Sequence, residues 1–81
     1  MVLIGKRKYK YGYMQMSHMV ASSLEELHAF AALIGVNKRH FQNKPNKPHY
    51  DICQEKKEFA LTLGAEEVDD RTIVTFLSQT Y

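Results

Sequence analysis

The sequence predicts a small α/β domain, with a three- to four-stranded mixed or parallel sheet, two main helices and a short C-terminal helix. Three observations carry that expectation. Short apolar or alternating runs recur along the chain, each followed by residues at helical spacing. Two helix-like stretches, "HAFAALIGV" and "KEFALTLGA", align without gaps at an offset of 29 residues. The chain has 81 residues, which bounds it to one domain, 1–81. A chain so short buries only about 60% of the surface its unfolded form exposes, so the core is small.

Val2, Leu3 and Ile4, ended by Gly5, form the first expected strand. The stretch "KRKYKYGYMQMSHMVA" follows with alternation that suits extended chain. A strand is expected over residues 13–20, with Met14, Met16, His18 and Val20 on one face and Gln15, Ser17 and Met19 on the other. Tyr11 and Gly12 read as a turn or bulge. Ser23 can cap the first helix, and Glu26 stands three residues on, as a capping box requires. Leu24, Leu27, Phe30, Ala31 and Ile34 recur at helical spacing, and Gly35 supplies a left-handed stop.

A short strand is expected at residues 39–42, then a loop at 43–48, where Pro45 and Pro48 forbid helix. Asp51 can cap the second helix, with Gln54 at the matching position and Ile52, Phe59, Ala60 and Leu63 as its stripe before Gly64. Lys56 falls inside that stripe, where its stem would cover the core rim or its ammonium would enter a cleft. Residues 66–68 read as a strand, and Asp69 or Asp70 would cap a last helix turning Ile73, Phe76 and Leu77 inward.

The composition, 44% hydrophobic and 25% charged, is that of an ordinary soluble globular domain. The longest apolar stretch, residues 29–35, is far short of the roughly 20 residues that span a bilayer, so no membrane partner is expected. The apolar N-terminal run precedes its charges, the reverse of a secretory signal. One cysteine, Cys53, allows no internal disulfide, and a cytoplasmic location follows as the expectation. The net charge is +2, with basic residues gathered at Lys6, Arg7, Lys8 and Lys10 and again at Lys38, Arg39, Lys44 and Lys47. Two basic segments favour anionic partners, although solubility alone would also account for them.

Candidate chemistry centres on "HYDI". An N-cap aspartate would account for Asp51, and a half-buried ring with a bonded hydroxyl for Tyr50. His49 has no such ready account. His18 precedes the first helix much as His49 precedes the second, and in parallel sheets such positions share one ligand-binding edge. His18 and His49 are therefore candidate catalytic bases, with His28, Arg39, Tyr50, Asp51 and Lys56 as candidate ligand-binding residues. His18, His28, His49 and Asp51 also form a candidate ligand set for a divalent transition metal such as zinc. No diagnostic motif accompanies them: there is no His-x-x-Glu-His, no cysteine pair and no Gly-rich phosphate loop.

Together, "SHMVASSLEELHAFAALIGVNKRHFQ", "HYDI" and "GAEEVDDRTIV" resemble the small bacterial and phage family called domain of unknown function 4031. The resemblance runs from about Ser17 to Val74 and implies that Ser17, His18, Glu26, His28, Arg39, Phe41, His49, Tyr50, Asp51 and Arg71 hold positions the family marks. It implies no particular activity. The chain departs from the family pattern at Ile4-Gly5-Lys6, at Ser22 and at Pro48, where the family commonly has carboxylates. Those losses count against a metal cluster and in favour of an anion site.

The leading functional expectation is a site for a small anionic ligand, a nucleotide or phosphorylated metabolite, either hydrolysed or sequestered. A second is a nucleic-acid-binding accessory domain, in which Lys6, Arg7, Lys8, Tyr9, Lys10 and Tyr11 interleave phosphate contacts with stacking rings. A third is a phage-type protein that binds a host partner through Tyr9, Tyr11 and Tyr13. Open sheet edges and a small core add a homodimer to the expected partners.

Overall fold

The computed structural model describes all residues, 1–81. Strand β1 (Val2–Gly5) leads through a bulging segment to β2 (Tyr9–Tyr11), and a turn at Gly12 reverses the chain into the long β3 (Met14–Ala21). Helix α1 (Leu24–Leu33), a short 3-10 turn (Lys38–His40), β4 (Phe41–Gln42) and β5 (His49–Cys53) follow. The chain ends with α2 (Gln54–Thr62), β6 (Glu66–Val68) and α3 (Asp70–Thr80).

The strands form one six-stranded mixed sheet in the order β4-β5-β3-β1-β6, with β2 also paired to β3. Only β1 and β6 run parallel; the other pairs are antiparallel. β1 and β2 behave as one interrupted strand along the same edge of β3. Ile4 pairs with Met19 and Tyr9 with Met16, so the four residues 5–8 stand opposite only Ser17 and His18. The buried Ser17 hydroxyl donates to the Arg7 carbonyl at 3.1 Å and pins this bulge.

Alternation along the strands sends side chains to two helical layers. Val2, Ile4, Met19, Ala21, Tyr50 and Ile52 face α1 and α2, meeting Leu27, Ala31, Ile34 and Ala60 in the main core. Leu3 and Val20 face the other way and meet Ile73 and Leu77 of α3. Each large apolar side chain buried in this way stabilises the fold by about 1.5–3 kcal/mol.

The internal likeness has a structural counterpart. At the end of α1, Val36 N–H donates to the Ala31 carbonyl and Gly35 N–H to Ala32; at the end of α2, Ala65 donates to Ala60 and Gly64 to Leu61. Both glycines have positive φ, 82° and 104°, which this double-bonded helix stop requires. The α1 start also forms as expected, with Ser23 Oγ accepting from Glu26 N–H. Glu26 reaches back to the Ser22 N–H and to the terminal amine of Met1.

Four expectations need correction. The sheet has six strands rather than three or four, because β2 and β5 were not recognisable as strands. β2 has three residues, too few to show a period, and β5 runs straight into α2 with no turn between them. Helix α2 therefore starts at Gln54, with Cys53 at the N-cap position, and Asp51 caps nothing. Its inward stripe shifts accordingly: Lys57 and Ala60 are buried, whereas Phe59 is 47% and Leu63 42% exposed. Finally, α3 is no shorter than the other helices; it has 11 residues, and Asp69 caps it by accepting from Thr72 N–H at 2.8 Å.

Lys57 takes the buried position expected of Lys56. Its ammonium donates to the Gly5 carbonyl at 3.1 Å and pairs with Glu67 at 2.7 Å, tying α2 to both β1 and β6. The ion pair holds the Glu67 carboxyl below its ordinary range. Lys56 lays its Nζ beside Gly35 at the end of α1, a favourable place for a cation.

Candidate functional site

The question posed by "HYDI" is answered by strand geometry. His49, Tyr50 and Asp51 lie in β5, so Tyr50 faces the main core and His49 and Asp51 face the opposite side. His18 of β3 is the direct cross-strand partner of Asp51, and Tyr9 of β2 pairs with Met16, two residues before His18. Four polar side chains from three strands thus converge on one face of the sheet. They meet by cross-strand pairing within an antiparallel region, not at a shared edge of parallel strands.

Asp51 Oδ1 is the centre of the cluster. Tyr9 Oη donates to it, His18 Nδ1 lies 3.0 Å away and His49 Nε2 3.3 Å away. The Tyr9 hydroxyl is also 3.4 Å from His18 Nδ1, and the His18 and His49 rings meet edge to face at 4.7 Å between centroids. Burial, then the hydrogen bond to Asp51 and its charge, push the Tyr9 phenol far above its ordinary range. Tyr9 therefore stays protonated and acts as a donor.

The hydrogen-bond partners fix the state of His49. Its Nδ1 lies 2.8 Å from the Lys47 carbonyl, which can only accept, so Nδ1 carries the hydrogen. In the neutral ring, Nε2 carries no hydrogen, and it lies 3.3 Å from Asp51 Oδ1. Two potential metal donors therefore lie side by side there.

The donor set fits a metal. One donor atom from each of His18, His49 and Asp51 falls within 4.8 Å of the others. Donor atoms around a tetrahedral zinc with bonds near 2.0–2.1 Å stand roughly 3.3 Å apart. Asp51 Oδ1 is already near that separation from both rings, at 3.0 and 3.3 Å. The Lys47 carbonyl on the far nitrogen of His49 and the Tyr9 hydroxyl on Asp51 are outer-shell contacts of the kind that orient ligands.

The other candidates lie elsewhere. His28 sits on α1 across the sheet, with Nδ1 2.7 Å from the Tyr50 hydroxyl and its ring against Phe41. Helical spacing placed it on the flank of the apolar stripe, and that flank packs on the core side of β5, so it cannot join His18 and His49. Tyr50 bonds His28 from within the core and takes no part in the cluster, its phenol raised by burial. Arg39 is exposed on the 3-10 turn, and Lys56 serves the end of α1.

Among the basic-aromatic segment, Tyr9 is turned inward, and Arg7 lies 3.8 Å from Asp70. Lys6 and Lys8 add to Lys57 in lowering the Glu67 carboxyl, and Lys6 adds to the Thr72 hydrogen bonds that lower Asp69. Lys10 and Tyr11 are exposed, and Tyr13 is wholly so. Tyr9 is the member of the cluster that sequence reasoning assigned to another role. The available signal was its place in a hairpin register with the His18 strand, which becomes visible only once residues 9–11 are read as a strand before the Gly12 turn.

A membrane-spanning role has no element to carry it as a helix, since no helix is long and apolar enough to cross a bilayer. No curated protein and no solved structure matches the chain. A family model does, over residues 2–80, nearly the whole length and wider than the sequence resemblance marked out; its description is Protein of unknown function (DUF4031). With the His18 strand, the "HYDI" strand and all three helices inside the match, the chain belongs to the DUF4031 family.

Proposed function

We propose that the protein binds a divalent transition metal, zinc in the first instance, through His18, His49 and Asp51, and uses it to hold a small anionic ligand. The observation that supports this most directly is the opposition of His49 Nε2 and Asp51 Oδ1 at 3.3 Å, with the other His49 nitrogen committed to a backbone carbonyl. Three protein ligands are also the number that leaves a metal position open to a ligand. This reverses the weighting that the missing carboxylates suggested, because the one retained aspartate faces both imidazoles.

Bound there, the ion would act as a Lewis acid on an anionic oxygen, the chemistry of metal-assisted hydrolysis. His18 and His49 would orient the ion rather than serve as free bases, and Asp51 would offset its charge. Arg39 and Lys56 have no part in this reading, so the attraction for an anion rests on the metal. Titration of the metal-free protein with zinc tests it. One equivalent should bind saturably to the wild type and not to Asp51→Ala. Binding that is unaltered by Asp51→Ala would overturn the proposal. Release of phosphate from p-nitrophenyl phosphate by the zinc form, but not by Asp51→Ala, would identify a hydrolase rather than a sequestering protein.

A further inference from the structure

The His18 and His49 rings also line a cleft of about 300 Å³ between the sheet and α3, which Asp51 does not line. Its walls are apolar: Val20 from β3, and Ile73, Val74 and Leu77 from α3. Ile73 and Leu77 are buried against the sheet, while Val74 remains 64% exposed at the rim. At the opposite rim lie Asn46 and Lys47, carried by the loop before β5. Asn46 has a φ of 61°, a left-handed conformation that its side chain tolerates better than most, and it turns the loop between Pro45 and Pro48. Lys47 is the only lysine or arginine lining the cleft, and its carbonyl is the one that fixes His49.

One end of the cleft therefore carries Lys47 and the two imidazoles that would hold the proposed ion, and the surface against α3 is mostly hydrocarbon, with Ser78 beside it. Ligand pockets for drug-sized molecules run from about 300 to 1,000 Å³, so this one is at the lower limit. Such a site fits a short molecule with a single anionic head and a compact apolar body. It does not fit the sugar, polar base and several charges of a nucleotide, whose polar groups would find no partners on Val20, Ile73 and Leu77.

From this we infer that the natural ligand is a small carboxylate with an aryl or branched alkyl group, its head on the metal and Lys47, its body against α3. The inference rests on the metal reading and narrows the ligand class for the same site. The test uses the zinc-loaded full chain, with acetate, phenylacetate and adenosine monophosphate as probes in calorimetric titrations. Phenylacetate should bind about tenfold or more tighter than acetate, the expected gain from burying its ring. Val74→Trp, which changes an exposed rim position and fills the cleft, should remove that advantage and leave zinc affinity unaltered.

Equal affinity for acetate and phenylacetate on protein that binds zinc would overturn this inference and leave the metal reading standing. A tighter complex with adenosine monophosphate than with phenylacetate would do the same. Failure of zinc to bind would overturn both.

Discussion

The two faces of β5 hold the same kinds of residue in opposite circumstances. On the core face, Tyr50 and His28 form one bond of 2.7 Å, enclosed by Phe41 and the apolar side chains around it. No acceptor confronts another there. On the open face, His18, His49 and Tyr9 crowd a single carboxylate oxygen, with His49 Nε2 close to it but not hydrogen-bonded. The first arrangement is complete as it stands and serves packing. The second is the one proposed to hold a metal ion, and the comparison teaches that histidine content matters less than what each ring nitrogen stands beside.

That contrast is broken or upheld by paired substitutions. The largest effect is expected at His49: His49→Ala should weaken zinc binding by at least about a hundredfold, since loss of even an outer-shell partner costs 10–100-fold. His28→Ala should leave zinc affinity where it was. Equal losses in calorimetric titrations of the two variants would erase the distinction between the faces.

Next comes Tyr50→Phe. Removing the hydroxyl leaves His28 Nδ1 without its partner, and chemical denaturation should show a loss of about 1–3 kcal/mol with zinc affinity unchanged. The counterpart on the open face, Tyr9→Phe, should behave the other way round. Folding stability should hardly move, while zinc affinity falls about tenfold because Asp51 loses the contact that orients it.

How much of this was legible in the sequence depends on which elements had room to show a pattern. Helix α1 was readable in its ends, from the Ser23 cap to Gly35, because those signals are local, although Glu26 takes the Ser22 N–H rather than that of Ser23. The parity of β3 was readable too, placing His18 and Ser17 on opposite faces. Strand β5 was not, since five residues between a proline and a helix resemble a loop with a cap, and Asp51 looked like that cap. The error moved the helix start by two residues and exchanged Lys56 for Lys57 as the buried cation. The meeting of His18 with His49 was expected, but by a parallel-edge rule that the antiparallel β3–β5 pairing does not obey. Tyr9 joined them through the local hairpin register over residues 9–16, which stayed hidden because the three-residue β2 was not recognised as a strand.

The smallest effect concerns acid. Glu67, paired with Lys57, and Glu26, hydrogen-bonded to the terminal amine, both have carboxyls held below their ordinary value of 4.5. A folded-state pKa below the unfolded one gives stability that is present above that value and fades as the pH falls through the folded pKa. Urea midpoints should therefore decline below about pH 4.5, and Glu67→Gln should flatten that decline without altering the zinc-binding cluster. A decline of the same steepness in Glu67→Gln would show that the acid response arises elsewhere.

The most direct measurement is X-ray absorption spectroscopy of the zinc-loaded protein, which reads the ligands themselves. The expected spectrum shows two imidazole rings and light oxygen donors, with zinc–ligand distances near 2.0–2.1 Å. One ring's signal should vanish in His49→Ala and neither in His28→Ala. A zinc shell of water oxygens alone, or one that keeps both rings in His49→Ala, would contradict the metal centre on the open face of β5.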